Sequence, residues 1–152
     1  GSADKAKLAK AHGYDHIINY KEQNFVDEVK KIAPGGVPVV YDGVGKDTWD
    51  GSLNCLQPRG LMVSFGNASG AVPPVNLGIL STKGSLYVTR PTLATHVAKR
   101  DDLVRGSNEL FDVVSKGIVK IEVNQTYPLK DAAQAHRDLE SRKTTGSTVF
   151  TV

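Results

Sequence analysis

The chain has 152 residues, enough for one domain with a sizeable core, and its 39% apolar and 23% charged content excludes a disordered chain. A net charge of +3, with lysines and arginines dispersed among acids, argues against a nucleic-acid surface and leaves a few basic residues for one phosphate-bearing ligand. A single cysteine, Cys55, rules out an internal disulfide and a cysteine metal cluster, and no apolar run is long enough to span a membrane, so a cytoplasmic protein is expected.

In chain order, Ser2 to Ala11 reads as a helix, with Ser2 as its cap, Asp4 in its first turn and Gly13 as its stop. His16 to Tyr20 reads as a short strand. Asn24 to Ile32 places Phe25, Val26, Val29 and Ile32 at helical spacing, and Pro34-Gly35-Gly36 ends it. Val37 to Asp42 is a compact apolar strand ending in an acid. Thr48 to Leu56 is a helix carrying Trp49, Leu53 and Leu56 on one side, with Cys55 as a buried structural thiol. Pro58-Arg59-Gly60 turns the chain into a strand over Leu61 to Phe65, and Gly66 to Pro74 is loop. Asn76 to Leu80 fits one helical turn and Ser85 to Thr89 a strand. Asp101 to Lys116 is a helix with Leu103, Leu110, Phe111 and Val114 inward, closed by Gly117. Ile118 to Val123 is extended, Leu129 to Ser141 is a helix, and Ser147 to Val152 is a last strand. Strands alternating with helices predict βαβ units and a parallel sheet, with the segment after Thr89 as a packing appendage to it.

Ligands of open parallel sheets bind beyond the carboxyl ends of the strands. That rule selects Tyr20, the turn Gly43-Val44-Gly45, the loop Gly66-Asn67-Ala68-Ser69-Gly70 and the run Arg90-Pro91-Thr92, and it predicts that the four meet on one edge. Their glycines allow a flat ligand close to the backbone, and free N–H groups with Asn67 and Ser69 would bond an amide or a phosphate; ordinary turn chemistry accounts for the same residues. Gly1, Ser2, Ala3, Asp4 and Lys5 lie at a helix start, where backbone donors favour anions, and Lys5 adds a positive charge. Small residues with a lysine, joined by the Tyr20 hydroxyl, suit a 2′-phosphate. Lys5 as a surface lysine and Tyr20 as a half-buried aromatic fit equally, and Asp4 argues the other way. The four histidines, His12, His16, His96 and His136, show no metal-ligand spacing, and neither a nucleophile elbow nor a Walker loop is present. Asp42 reads as a strand-end structural acid rather than a catalytic base.

The runs Tyr41-Asp42-Gly43-Val44-Gly45-Lys46-Asp47-Thr48-Trp49, Arg59 through Gly70, and Tyr87-Val88-Thr89-Arg90-Pro91-Thr92 resemble the bacterial NADPH:quinone oxidoreductases, relatives of zeta-crystallin in the medium-chain dehydrogenase/reductase superfamily. The ending Arg142-Lys143-Thr144-Thr145-Gly146-Ser147 is similar too, so the likeness covers nearly the whole chain. It implies NADPH as cofactor, a quinone as substrate and no zinc; a homodimer is expected as well. Residue by residue, Gly1 to Lys5 and Tyr20 match the segment around the adenosine 2′-phosphate. Phe65 and Ala68 to Ala71, with Gly66 and Asn67 between them, match the loop at the nicotinamide end. Pro91, Thr92 and Leu93 match the next strand-end loop, Arg142 a late arginine reaching the cofactor, and Arg90 a residue near the quinone pocket.

A complete member of that family has about twice this length. The resemblance therefore implies an incomplete Rossmann-type, doubly wound parallel sheet that lacks its first strands, plus carboxy-terminal helices and a strand. Residues 1–152 would form a partial NADPH-binding domain, with the amino-terminal catalytic domain absent and isolated catalysis doubtful. Gly1-Ser2 fits a cloning remnant as well as native sequence. In the usual strand order His16–Asn19 would have no neighbour, which predicts an unpaired edge, a rearrangement, or pairing through a dimer or strand swap. Competing functions are an enone or alkenal reductase of the same superfamily and a non-catalytic module binding NADPH or AU-rich RNA.

Overall fold

A computed structural model of the chain describes residues 3–152. It divides into two compact units, the first running to Thr95 and the second from His96 to Val152.

In the first unit, α1 (Ala3–Ala11) has Asp4 in its first turn and Lys10 in its last, both favourable to the helix dipole. Its expected cap, Ser2, lies outside the described residues. Gly13 stops the helix with φ 86°, its N–H donating to Lys10 O at 3.1 Å. Asn24 caps α2 (Phe25–Ile32) by accepting from Val26 N at 3.0 Å. β1 (Val37–Asp42), β2 (Leu56–Ser64) and β3 (Tyr87–Thr89) form one parallel sheet in that order, with α3 (Trp49–Cys55) and α4 (Gly78–Thr82) in the crossovers. Tyr41 pairs with Val63, which pairs with Thr89, and Asp42 pairs with Ser64, so the strand ends are level.

The helix read as reaching Leu56 ends at Cys55, and β2 begins at once. The Pro58-Arg59-Gly60 turn survives inside β2 as a register shift opposite Val37 and Val39, with Arg59 at φ 62°. Alternation along the strands sends Val40 and Met62 to one face, where Leu53, Leu56 and Leu86 close the core with Trp49, Val37, Ile79 and Leu80. Leu53 and Met62 are fully buried, which stabilises the unit by about 1.5–3 kcal/mol each. Cys55 is buried as expected; burial pushes its thiol up, partly opposed by Lys30. Val39, Tyr41 and Tyr87, on the opposite face, are exposed.

His16–Tyr20 corrects the sequence reading. The segment is not a strand, although Ile17, Ile18 and Asn19 are half-buried. A strand requires a ladder partner, and Ile18 meets β1 only across an apolar pocket of about 290 Å³, lined also by Phe25, Val29, Val37 and Val40.

α5 (Leu93–His96), unforeseen in the sequence, spans the unit boundary. The second unit contains α6 (Arg100–Ser115), β4 (Val123–Pro128), a 3₁₀ turn (Leu129–Asp131), α7 (Ala132–Glu140) and β5 (Ser147–Thr151). β4 and β5 pair in parallel, a small βαβ unit with Ala135 buried beneath it. The residues after Thr95 thus have a sheet of their own, and the strand starts five residues later than the extended run read at Ile118. Three of the four α6 residues expected inward are exposed: Leu103, Leu110 and, at 67%, Phe111; only Val114 is half-buried. Helical spacing places these residues on one face but does not supply a surface to cover it.

Candidate functional site

The site is built on Asp42, the last residue of β1. Its carboxylate, 4% exposed, accepts from Val44 N (2.7 Å), Gly45 N (2.9 Å), Thr48 Oγ1 (2.7 Å) and Ser52 Oγ (2.7 Å). Burial pushes the carboxyl upward, but the donors from Gly45, Ser52, Thr48 and Val44 together outweigh it, and the group is held below the ordinary carboxylate range. With its oxygens so occupied, Asp42 is the structural acid the sequence suggested and no general base.

The turn organised by Asp42 carries the loop after β2. Asp42 O accepts from Phe65 N (2.9 Å) and Gly66 N (3.3 Å), Gly43 O from Ala68 N (3.3 Å), and Val44 O from Ser69 N (2.8 Å) and Ser69 Oγ (2.8 Å). In the other direction Lys46 N donates to Gly70 O (3.1 Å) and Asp47 N to Ser69 Oγ (3.0 Å). Two glycines make this approach possible. A Cβ at Gly45 would stand 2.6 Å from Gly70 O, and one at Gly66 would collide with the Gly43 backbone. The Phe65 ring packs on Gly43 and remains 56% exposed.

This lacing corrects one expectation. The N–H groups of Phe65, Gly66, Ala68, Ser69 and Gly70 all donate within the fold, as does the Ser69 hydroxyl, so they are not free to bond a ligand. What the loop presents is the Phe65 ring and the wall made by Asn67 and Ala71.

Arg90 ties the end of β3 to the same place. Its Nη1 donates to Ser64 O (2.8 Å) and Gly66 O (3.2 Å). The Asn67 amide, oriented to donate to Gly66 O (2.9 Å), accepts from Arg90 Nη2 (3.3 Å). A pocket of about 320 Å³ opens here, lined by Trp49, Ser64, Asn67, Ala71, Val72, Val88 and Arg90. Tyr20, 45% exposed, lines the neighbouring pocket beside β1 with Gly43, Val44 and Thr48. Three of the four strand-end loops are therefore joined by hydrogen bonds, and Tyr20 shares a cavity with the first of them.

The remaining expected residues are less gathered. Ala3, Asp4 and Lys5 form the first turn of α1, while Gly1 and Ser2 lie outside the described residues. Pro91, Thr92 and Leu93 line neither pocket, and Leu93 is 77% exposed. Arg142 belongs to the second unit, just past α7, at φ 60°. Sequence reading missed Thr48 and Ser52 as carboxylate donors. Their signal is a pair of hydroxyl residues one helical turn apart, opening the helix after a strand-end acid. Among the described residues no three His, Cys, Asp or Glu side chains gather as a metal site, and no helix is long and apolar enough to cross a membrane.

The chain is similar to known proteins over most of its length. The profile of the family described as zinc-binding dehydrogenase matches residues 12–150. The quinone oxidoreductase of Salmonella typhimurium is 57% identical over 153 residues, 99% of this chain and 47% of that protein. A 2-haloacrylate reductase of Burkholderia sp is 43% identical over 149 residues, 97% of this chain and 45% of that protein. The crystal structure of Escherichia coli quinone oxidoreductase complexed with NADPH superposes with a TM-score of 0.96 at 54% identity, covering 100% of this chain and 48% of that one. The chain thus spans about half the length of the curated relatives it matches, and its doubly wound α/β fold is that of their matching half.

Proposed function

This chain belongs to the zinc-binding dehydrogenase family, and we propose that it forms the cofactor-binding part of an NADPH-dependent quinone oxidoreductase. The observation that carries this reading is the set of laced strand-end loops around an open pocket, in a chain 57% identical to a quinone oxidoreductase. The pocket fits a flat, uncharged ring with a polar substituent. Trp49, Val72 and Val88 supply apolar walls, and Asn67, Ser64 and Arg90 supply polar atoms at one side. Phe65, Gly66, Asn67, Ala68, Ser69, Gly70 and Ala71 form the nicotinamide side, with Pro91 to Leu93 next to it. Tyr20 and the start of α1, with Lys5, hold the 2′-phosphate. Arg90 borders the quinone.

NADPH supplies the hydride; the chain's residues hold the ring, keep water from one face and orient the acceptor. A quinone accepts hydride readily, so no strong catalytic acid is required of this chain, and no zinc takes part. Residues 1–152 act as the partial cofactor domain of a longer cytoplasmic, dimeric enzyme, and hydride transfer needs groups outside them.

NADPH titration by nicotinamide fluorescence, beside the complete Salmonella relative, tests the assignment. The chain is expected to bind NADPH, to prefer it to NADH, and to do so at least about 100-fold more weakly than the complete relative, a difference of roughly 2.7 kcal/mol. No detectable binding, or affinity equal to that of the complete relative, means the site is assigned wrongly. The likeness to a 2-haloacrylate reductase favours a second reading, an activated-alkene reductase of the same superfamily. Turnover of quinones against 2-haloacrylates by the complete protein separates the two.

A further inference from the structure

We propose that Asp42 is a positioning residue: by fixing two peptide planes of the turn Gly43–Gly45, it sets the loop Phe65–Gly70 against which the nicotinamide end rests. The inference deepens the reading of that loop given above and rests on it. The argument is one of peptide geometry. In a trans peptide the N–H and the C=O point to opposite sides. The Val44 N–H and the Gly43 carbonyl belong to one peptide, and the Gly45 N–H and the Val44 carbonyl to the next. The Asp42 carboxylate takes both N–H groups, at 2.7 and 2.9 Å. Both carbonyls are thereby turned outward, and they are the ones that receive Ala68 N, Ser69 N and Ser69 Oγ. With Asp42 O, which takes Phe65 N and Gly66 N, residues 42–44 present three successive carbonyls as a rail for the loop. Thr48, just before α3, and Ser52 within it anchor the carboxylate, so the rail is referred to the buried core rather than to the surface.

A carboxylate that merely capped α3 would affect stability and nothing else. Positioning moves the loop amides and the cofactor as well. The chain carrying Asp42→Ala is expected to show amide exchange at Ala68 and Ser69 accelerated at least 10-fold under fully folded conditions, and NADPH bound about 10-fold more weakly. Asp42→Asn keeps one oxygen for the two amides and should restore both readouts to within about 3-fold of wild type. Leu86→Ala opens the buried core without touching the turn or the loop; it should lower the melting temperature and leave loop exchange under folded conditions and NADPH affinity unchanged. Should Asp42→Ala fail to fold, Asp42→Ser, whose single oxygen holds one of the two amides, carries the decision with the same readouts. Loop exchange and affinity at the wild-type level in the folded alanine or serine variant, with only stability reduced, would overturn the inference. Absence of NADPH binding by the wild type would instead sink the reading of the site, while loop exchange still decides whether Asp42 sets the loop.

Discussion

The close approach of the two site loops can be tested by adding one carbon. Gly66 has no left-handed backbone angle, so an alanine there meets no conformational penalty of its own. Its Cβ would collide with Gly43 O and stand 2.7 Å from Gly43 Cα and 2.8 Å from Gly43 C. All three are backbone atoms and none can swing aside. Bringing the nearest of them, Gly43 O, to ordinary contact requires the loops to part by about 1 Å. The bonds Gly66 N to Asp42 O and Ala68 N to Gly43 O, both 3.3 Å, would then lie beyond about 4 Å and be lost. Two hydrogen bonds at about 1 kcal/mol each, with strain of about 1 kcal/mol or more from overpacking, put the cost of Gly66→Ala at about 2–4 kcal/mol. For a chain of this size that is a fall in melting temperature of roughly 5–15 °C. Urea unfolding followed by circular dichroism measures it. Gly35→Ala is the control, because a Cβ there meets nothing within 4 Å; it should stay within about 0.5 kcal/mol of wild type. A Gly66→Ala chain as stable as the control would refute the claim that the loops are held at backbone contact.

Two further outcomes follow from single residues. Asp42 has a carboxyl lowered in the folded state, so its contribution to stability is full above the ordinary carboxylate range and disappears as pH falls through the folded value; acid titration of stability should lose that portion of its slope in Asp42→Asn, and an unchanged slope would remove Asp42 as its source. Gly106 lies exposed inside α6 with nothing within 4 Å of a Cβ, so Gly106→Ala should stabilise the chain by about 1 kcal/mol in the same urea assay.

The parts of this fold legible in the sequence are those decided locally. Trp49, Leu53 and Leu56 were read on one side of a helix, and all three meet in the core. Asn24, Gly13 and the Pro58-Arg59-Gly60 turn act through bonds to near neighbours or through backbone angle, and each does what its chemistry predicts. The strand ends also selected loops that come together, three of them joined by hydrogen bonds, because the parallel-sheet rule needs only strand direction. What the sequence could not supply was how those loops use their own polar groups. The pattern makes Ser69 a donor to a ligand; its partners, Val44 and Asp47, lie more than twenty positions away and become neighbours only when β1 and β2 pair in register. Leu103, Leu110 and Phe111 fail for a related reason: their spacing is helical, but burial depends on an opposing surface that the helix does not specify.

His16–Asn19 marks the boundary between the two kinds of information. Its apolar pair behaves as the pattern requires, with Ile17 and Ile18 half-buried and Ile18 turned into the same cavity as Val37 and Val40 of β1. Side-chain burial is a property of the segment, and the segment has it. Strand identity is a property of two backbones, because the N–H and C=O groups of an extended run are satisfied only by a second run about 4.8 Å away. Between Ile18 and β1 there is instead a pocket of about 290 Å³. The site loops do not share this dependence. Their alignment comes from β1 and β2, which pair directly, and from the Asp42 carboxylate between them. The loops proposed for the nicotinamide side are therefore held by this chain's own hydrogen bonds, whereas Tyr20, at the end of the unpaired segment, lacks a ladder to hold it.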